Sequence, residues 1–195
     1  VISSATAAGY GDFCNQLANN PRGYGFRTEL FPAIMQGERV EESILSALDA
    51  INERLDEFDV VVIIRGGGAT SDLSGFDTYL LAASCAQFPL PIITGIGHER
   101  DDTVIDKVAH TRVKTPTAAA EFLITKMDKC ADVLDEMSAR LMQGVRNRLL
   151  WEHRRIENLA QRIPSTVYKR IADAKYDLLS AQRNLQMASR QFLSA

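Results

Sequence analysis

The chain has 195 residues, of which 46% are hydrophobic and 24% are charged, and its formal net charge is −3. These values fit one large globular domain, or one domain with an appendage. They exclude a globally basic nucleic-acid-binding protein, and no stretch is long and apolar enough to span a bilayer, so we expect no membrane partner. Three cysteines without metal-ligand spacing predict reduced thiols and a cytoplasmic location.

The first 115 residues alternate between strand and helix patterns. The predicted strands are residues 1–2, 26–31, 60–64 and 91–94. A helix is predicted after each strand, first one with Tyr10, Phe13 and Leu17 on its buried face, then residues 38–57, 78–87 and 102–108. Such alternation predicts an α/β domain with a mainly parallel sheet, helices on both of its faces and right-handed crossovers.

The pattern changes at Thr115 and Pro116, which suit the N-cap and the first position of a helix. Apolar residues then recur at steps of four and three, as in a coiled coil. Pro164 is expected to break this helix, and residues 167–192 repeat the same steps. We therefore predict an antiparallel helical hairpin, the arm, over residues 116–195, next to an α/β domain of residues 1–115.

The arm also carries an uneven charge distribution. Residues 140–170 contain eight Lys or Arg against two Glu. Such a run permits a local contact with a polyanion, although a solvated helix face is the simpler explanation from charge alone.

A run of β-branched residues at 60–64 ends abruptly in Arg65-Gly66-Gly67-Gly68. A charge at the end of so apolar a strand must be paired or face a cleft. Glycines let the backbone approach a ligand, and their N–H groups can form an anion-binding nest. The pattern predicts a phosphate-handling site, with a tight turn and a structural ion pair of Arg65 as the alternative. No P-loop is present, and Ser71 replaces the third glycine of a dinucleotide fingerprint.

Parallel strands bring their carboxyl ends to one edge of the sheet, where ligands bind in open α/β folds. The residues expected there are Ser3, Ser4, Gln36, Gly37, residues 65–68 and residues 95–101. His98 suits proton transfer, with a carboxylate fixing its tautomer. A second hypothesis places ligands for Mg²⁺ or Mn²⁺ among four residues, which are His98, Asp101, Asp102 and Asp106. A third has His98 packing in a turn.

Six short motifs occur in a characteristic order. They are Val1-Ile-Ser-Ser-Ala-Thr, Pro32-Ala33 with Gln36-Gly37, Arg65-Gly-Gly-Gly, Asp72-Leu73, Gly97-His-Glu-Arg-Asp101 and Thr115-Pro-Thr-Ala-Ala-Ala-Glu121. Each is weak alone, but the ordered set resembles the exonuclease VII large-subunit family over residues 1–122. Residues 123–195 resemble the family in their helical-arm character.

This resemblance implies an exodeoxyribonuclease that degrades single-stranded DNA from either end to short oligonucleotides. It implies an OB-fold domain upstream of Val1 and several copies of a small helical subunit on the arm. The active-site residues implied by matching position are Asp12, Arg65, His98 and Asp101. The positions that depart from the family pattern are Ser71, Ser74 and His110.

On this hypothesis, Arg65 and the amides of residues 66–68 hold the scissile phosphate, and His98 moves the proton. Asp101 orients His98 or a metal, and Asp12 supports a water or a metal, so the cofactor stays open between Mg²⁺ and none. Candidate contacts to DNA phosphates on the arm are Arg146, Arg148, Arg154 and Arg155, while the apolar seams serve subunit packing. The alternatives are a noncatalytic nucleotide-binding or scaffold domain and a metal-dependent phosphoesterase acting on a small nucleotide.

Overall fold

The computed structural model describes residues 1–66, 73–97 and 102–193. The chain divides into two compact units, Val1–Asp132 and Val133–Ala195. The predictions made for Gly67, Gly68, His98 and Asp101 lie outside the described residues. The domain boundary expected at residue 115 stays a prediction.

Among the described residues, five strands form one sheet in which all neighbours are parallel. They are β1 (Ile2–Ser3), β2 (Phe31–Pro32), β3 (Val61–Ile64), β4 (Ile92–Gly95) and β5 (Thr111–Arg112). Their spatial order is β2-β1-β3-β4-β5, which is the flavodoxin-like order of doubly wound sheets. The predicted α/β class with a parallel sheet is confirmed.

Helices alternate with these strands and complete the chain. They are α1 (Ala8–Ala18), α2 (Val40–Asn52), α3 (Tyr79–Gln87), α4 (Val104–Val108) and α5 (Pro116–Leu193). Short 3₁₀ turns occur at Leu55–Glu57 and Ser74–Phe76. The helix predicted over residues 38–57 is therefore α2 followed by a separate turn.

The sheet is buried on both faces, as the β-branched run in β3 predicts. Val61 and Ile63 contact a core cluster that includes α2, α3 and α4. Val62 and Ile64 contact a second cluster that includes α1 and the start of α5. Successive side chains of a strand point to opposite faces, so a strand covered on both sides must be apolar throughout.

Two edge strands differ from the sequence-based expectation. β2 covers Phe31–Pro32 rather than residues 26–31, and Pro32, expected to disrupt the strand, lies inside it. The N–H groups on either side, of Phe31 and Ala33, donate to carbonyls of the β1 segment at 2.8 and 2.9 Å. Pro32 thus occupies an edge position whose N–H is not needed for pairing. β5 has no counterpart among the predicted strands, because two residues carry no periodicity.

The start of α5 confirms the predicted helix signal. α5 begins at Pro116, and the Thr115 hydroxyl accepts a hydrogen bond from the N–H of Ala118 at 3.1 Å. Ala119 and Ala120 are completely buried in the second core cluster. The Thr-Pro-Thr-Ala-Ala-Ala motif therefore caps the helix and seats its first turns against the sheet.

The helix break expected at Pro164 is wrong, because α5 continues through this residue. Proline removes one backbone donor from the helix. The hydroxyls of Ser165 and Thr166 both donate to the carbonyl of Arg162 at 2.9 Å, which adds local hydrogen bonds at this turn. Antiparallel pairing of the arm stays a prediction. Within the described residues, no helix has the length and apolar character needed to cross a membrane.

Candidate active site at the carboxyl edge of the sheet

Arg65 lies directly after the buried strand β3, and only 8% of its surface is exposed. Its N–H donates to the carbonyl of Gly95 at 3.2 Å, which extends the pairing between β3 and β4 by one residue. A guanidinium with so little solvent requires polar or anionic partners. Arg65 is therefore fixed at the carboxyl edge, as the sequence predicts, in a position suited either to a phosphate or to an ion pair.

Gly66 lies against the start of α1. A Cβ added to Gly66 would be 3.0 Å from the Cβ of Ala7, and a Cβ added to Gly9 would be 3.0 Å from the Cα of Gly66. The added Cβ of Gly9 would also lie 2.8 Å from Cγ of Pro116. These distances leave no room for larger side chains, so the first turn of α1 lies directly beside the exit of β3.

The N terminus of α1 adds favourable electrostatics to this edge. α1 follows β1, and the strand order reverses between β1 and β3, where ligands bind in sheets of this topology. Within the described residues, no side-chain hydrogen bond caps this helix at Ala7. The amides of a first helical turn and the positive end of the helix dipole favour an anion. Together with Arg65 and Gly66, they make this edge suited to a phosphate.

Two buried hydroxyls lie on β1 and β4, the two strands that flank β3. Ser3 of β1 and Thr94 of β4 are completely buried, and their Oγ atoms have no hydrogen-bond partner in the part of the chain that the structure describes. Ser3 belongs to the edge predicted from sequence, whereas Thr94 is missing from that prediction. A single polar residue inside an apolar strand is the signal that identifies such a position.

Asp12 lies in α1, and its side chain is exposed. It follows Gly9 by three residues, a spacing that puts two residues next to each other on a helix surface. Because Gly9 approaches Gly66, α1 holds Asp12 about one turn beyond that contact. The structure therefore brings Asp12 and Arg65 onto adjoining elements.

Ion pairs and hydrogen bonds connect β5 to the start of α4. The guanidinium of Arg112 in β5 contacts the carboxylate of Asp102 at 2.5 Å and that of Asp106 at 3.9 Å. Asp106 accepts from the N–H of Thr103 at 3.3 Å, and the Thr103 hydroxyl accepts from the N–H of Asp106 at 3.3 Å. This capping box begins α4, and Arg112 ties it to β5.

These contacts bear on the metal hypothesis. Asp102 and Asp106 already face the cation of Arg112, which disfavours these two among the four candidate ligands named from sequence. Residues 1–66, 73–97 and 102–193 contain no group of three or more His, Cys, Asp or Glu side chains that could hold a metal. A metal held by Asp12 and Asp101 stays a prediction, since Asp101 lies outside these ranges.

A cavity of about 710 Å³ lies near the opposite edge of the sheet, beside the residues that precede and begin β1 and β3. Hydrogen bonds from Arg54 hold the pKa of Glu29 and of Glu57 below the usual value, so both are ionised at neutral pH. The charged residues in the cavity wall are Glu29, Glu57, Asp59, Arg27 and Lys126. With Arg54 paired to Glu29 and Glu57, these charges balance and give a phosphate no net attraction, so the carboxyl edge remains the candidate site.

The sequence model of the family described as "Exonuclease VII, large subunit" matches residues 1–195, which is the whole chain. The chain belongs to the exonuclease VII large-subunit family. The Exodeoxyribonuclease 7 large subunit of Lactobacillus helveticus is 33% identical over 177 residues, covering 91% of this chain and 38% of the relative. That of Shewanella baltica is 36% identical over 163 residues, covering 84% and 36%. That of a Cyanothece species is 33% identical over 169 residues, covering 82% and 38%. The chain thus spans 36% to 38% of the length of these relatives.

The described residues include part of the active site that the resemblance to the exonuclease VII large-subunit family predicts. Arg65 and Gly66 lie at the carboxyl edge, and Asp12 lies on the adjoining helix α1. The remaining predicted site residues, Gly67, Gly68, His98 and Asp101, lie outside the described residues. Their roles stay predictions.

Sequence reasoning misses two residues that shape this edge, Gly9 and Arg112. Gly9 and Gly11 look alike in the sequence, and only the approach of Gly66 distinguishes Gly9. Arg112 lies in a strand too short to give a pattern. A basic residue soon after the acidic pair Asp102 and Asp106 is its only sequence signal.

Proposed function

We propose that this chain is the catalytic and arm-bearing part of an exodeoxyribonuclease that hydrolyses single-stranded DNA to short oligonucleotides. The observation that carries the proposal is the family match across all of residues 1–195. The carboxyl edge supports the proposal, because the nearly buried Arg65, Gly66 at the end of β3 and the N terminus of α1 meet there. Phosphodiester hydrolysis needs such groups to hold a phosphate and to stabilise the added charge of the transition state.

The proposed chemistry is addition of water to phosphorus and cleavage of one P–O ester bond. Arg65 and the amides of residues 66–68 hold the non-bridging oxygens of the scissile phosphate. His98 moves the proton between the attacking water and the leaving oxygen. Asp101 orients His98 or a divalent metal, and Asp12 positions the water or a metal. The departing oxygen takes up a proton, so one diester gives a monoester and a hydroxyl.

The proposed partners are single-stranded DNA and the small subunit of exonuclease VII, in several copies on the arm. The exposed apolar residues of α5 support subunit packing, because they recur at helical spacing. An OB-fold domain that precedes this region in the complete protein, and a cytoplasmic location, also belong to the proposal.

The test uses the full-length large subunit assembled with its small subunit. Release of short products from end-labelled single-stranded and duplex DNA is measured with and without EDTA. Arg65→Ala and His98→Ala should each lower single-strand cleavage by roughly 10²- to 10³-fold, as expected for loss of one charge-stabilising or proton-transfer group. Arg27→Ala removes an exposed arginine before β2, and His153→Ala removes an exposed arm histidine, so both serve as controls.

Each outcome separates the candidate functions. Full activity in Arg65→Ala or His98→Ala would contradict the role assigned to that residue. Loss of activity in EDTA would assign a divalent metal. An assembled wild-type complex that releases no product with Mg²⁺ or Mn²⁺ would favour the noncatalytic scaffold. Cleavage of mononucleotide esters without cleavage of DNA would favour the small-nucleotide phosphoesterase.

A further inference from the structure

α5 carries a row of arginines around one exposed tryptophan in the second compact unit. Its members are Arg148, Trp151, Arg155 and Arg162, and we call them the Trp151 strip. Their spacings of three, four and seven residues put them on one face of a helix. Three arginines of the basic run therefore share one helix face with Trp151, which composition alone does not reveal.

The centre of the strip is organised but open to solvent. The guanidinium carbons of Arg148 and Arg155 lie 4.8 and 5.5 Å from the centroid of the Trp151 ring. Glu152 bridges the two arginines, at 2.7 Å to Arg148 and 3.7 Å to Arg155. Trp151 is nevertheless 52% exposed, and the side chains of Arg148 and Arg155 are 69% and 61% exposed. The three groups are held together without being covered.

The local charge on this face is positive. Residues 140–162 contain six arginines and two glutamates. Glu152 lies beside the strip and contacts two of its arginines, whereas Glu157 lies about 120° around the helix from Trp151. Each guanidinium has five N–H donors, so a contact with Glu152 leaves donors for another anion.

A different face of the same helix carries the apolar seam. Its exposed members are Leu141, Val145, Leu149, Ile156, Leu159 and Ile163. Such a row suits packing of another helix. The Trp151 strip offers one aromatic ring among three cations, which suits a flexible polyanion with stacking groups better than an apolar helix.

We propose that the Trp151 strip binds single-stranded DNA. The arginines donate hydrogen bonds to phosphate oxygens, and unpaired bases stack on the indole or on the planar guanidinium groups. The strip extends over roughly 21 Å, at 1.5 Å for each of the residues from Arg148 to Arg162. This inference rests on the proposed function, since it concerns the same substrate at a site distinct from the carboxyl edge.

The test uses the full-length large subunit assembled with its small subunit. A phosphorothioate-linked oligothymidine that carries 4-thiothymidine is bound and irradiated, and the cross-linked tryptic peptides are mapped by mass spectrometry. We expect a cross-link within residues 149–154, the tryptic peptide that contains Trp151. Equilibrium binding of the same strand is followed by fluorescence anisotropy over a range of salt concentrations.

Substitutions give the quantitative expectation. Trp151→Ala should weaken single-strand binding by roughly five- to a hundredfold, through loss of base stacking. Arg148→Ala and Arg155→Ala should each lower the slope of log affinity against log salt by about 0.7. Arg27→Ala, at an exposed arginine before β2, and Tyr176→Ala, at an exposed aromatic of α5, should leave affinity and slope unchanged.

The possible failures are distinguishable. Normal cleavage with wild-type affinity in Trp151→Ala and no cross-link in residues 149–154 would overturn this inference and leave the proposed function intact. A complex that neither cleaves nor binds single strands would overturn both. If Trp151→Ala reduces the amount of bound small subunit while DNA cross-links persist, the strip is a subunit contact and the inference is wrong.

Discussion

Gly9 in α1 and Gly66 at the exit of β3 approach so closely that a Cβ on Gly9 would lie 3.0 Å from the Cα of Gly66. Pro116 at the start of α5 closes the same contact, with its Cγ 2.8 Å from that Cβ position. Three segments distant in sequence therefore meet at Gly9, where no space is left for a side chain. This contact sets the distance between the first turn of α1 and Gly66.

Gly9→Ala should destabilise the protein and impair cleavage, whereas Gly11→Ala should do neither. Both glycines lie in α1, but a Cβ on Gly11 has no atom outside its own stretch of helix within 4 Å among the residues that the structure describes. Overpacking at Gly9 should lower the free energy of unfolding by about 1–3 kcal/mol. Alanine at Gly11 should raise it by up to about 1 kcal/mol, as at an open helix site. Urea denaturation measures both effects.

The same pair tests the link between packing and activity. Displacement of Gly66 in Gly9→Ala should lower single-strand cleavage by roughly ten- to a hundredfold, since small shifts of positioning groups cost that much. Gly11→Ala should keep wild-type cleavage. Equal stability and equal activity in the two variants would contradict the close approach of Gly9 in α1 to Gly66.

The two carboxylates around Arg112 should differ in their contribution to stability. Asp102 makes the shorter contact, but its side chain is 47% exposed, so Asp102→Ala should cost less than about 1 kcal/mol. Asp106 is 1% exposed and accepts from the buried N–H of Thr103, so Asp106→Ala should cost about 1–3 kcal/mol. Asp106→Asn keeps an acceptor for the N–H of Thr103, so its loss of stability should lie between those of Asp102→Ala and Asp106→Ala. A larger loss in Asp102→Ala, measured by urea denaturation, would contradict this order.

Cys85 should resist thiol reagents in the folded protein. Cys85 lies in α3, and its burial in the core raises the pKa of its thiol to about 11, so the reactive thiolate is scarce at pH 8. Cys130 is exposed and should react first. Labelling with a thiol reagent, followed by peptide mass mapping, should give Cys130 early and Cys85 only after denaturation. Rapid labelling of Cys85 in the folded protein would show that the reagent reaches the core around it, and would contradict this prediction.

Long periodic signals in the sequence predict most of the sheet and its helices. β3 and β4 follow from apolar runs, and α2 follows from apolar residues at helical spacing. β5 could not be predicted, because Thr111 and Arg112 are defined as a strand by their pairing with β4 and not by a pattern of their own. Pro32 shows the same limit. A proline disrupts a strand where its nitrogen would have to donate to a partner strand, and it is tolerated where that nitrogen faces the free edge of the sheet.

The candidate site follows from sequence only where its signal is local. Arg65 and Gly66 stand out because a charge and glycines end an apolar strand. The contacts of Gly9 with Gly66 and of Arg112 with Asp106 join residues far apart or in short elements, and only the fold reveals them. A family resemblance supplies Asp12, which no local pattern distinguishes from an ordinary exposed helix residue.

The continuity of α5 through Pro164 can be measured directly. Spin labels at positions 154 and 175 are separated by 21 helical residues if α5 is unbroken, which corresponds to roughly 31 Å between their backbones. In a hairpin closing at residues 164–166, the two positions would face each other across paired helices, roughly 10 Å apart.

A second pair, at positions 175 and 190, serves as the control, because its separation of roughly 22 Å is the same in both arrangements. The labels are introduced after replacement of Cys14, Cys85 and Cys130, and labelled chains are diluted with unlabelled ones to suppress distances between subunits. We expect the long distance, since Ser165 and Thr166 add hydrogen bonds to the turn that contains the proline. Pro164→Ala should leave that distance unchanged. A short distance in the wild type that lengthens in Pro164→Ala would restore the hairpin predicted from sequence.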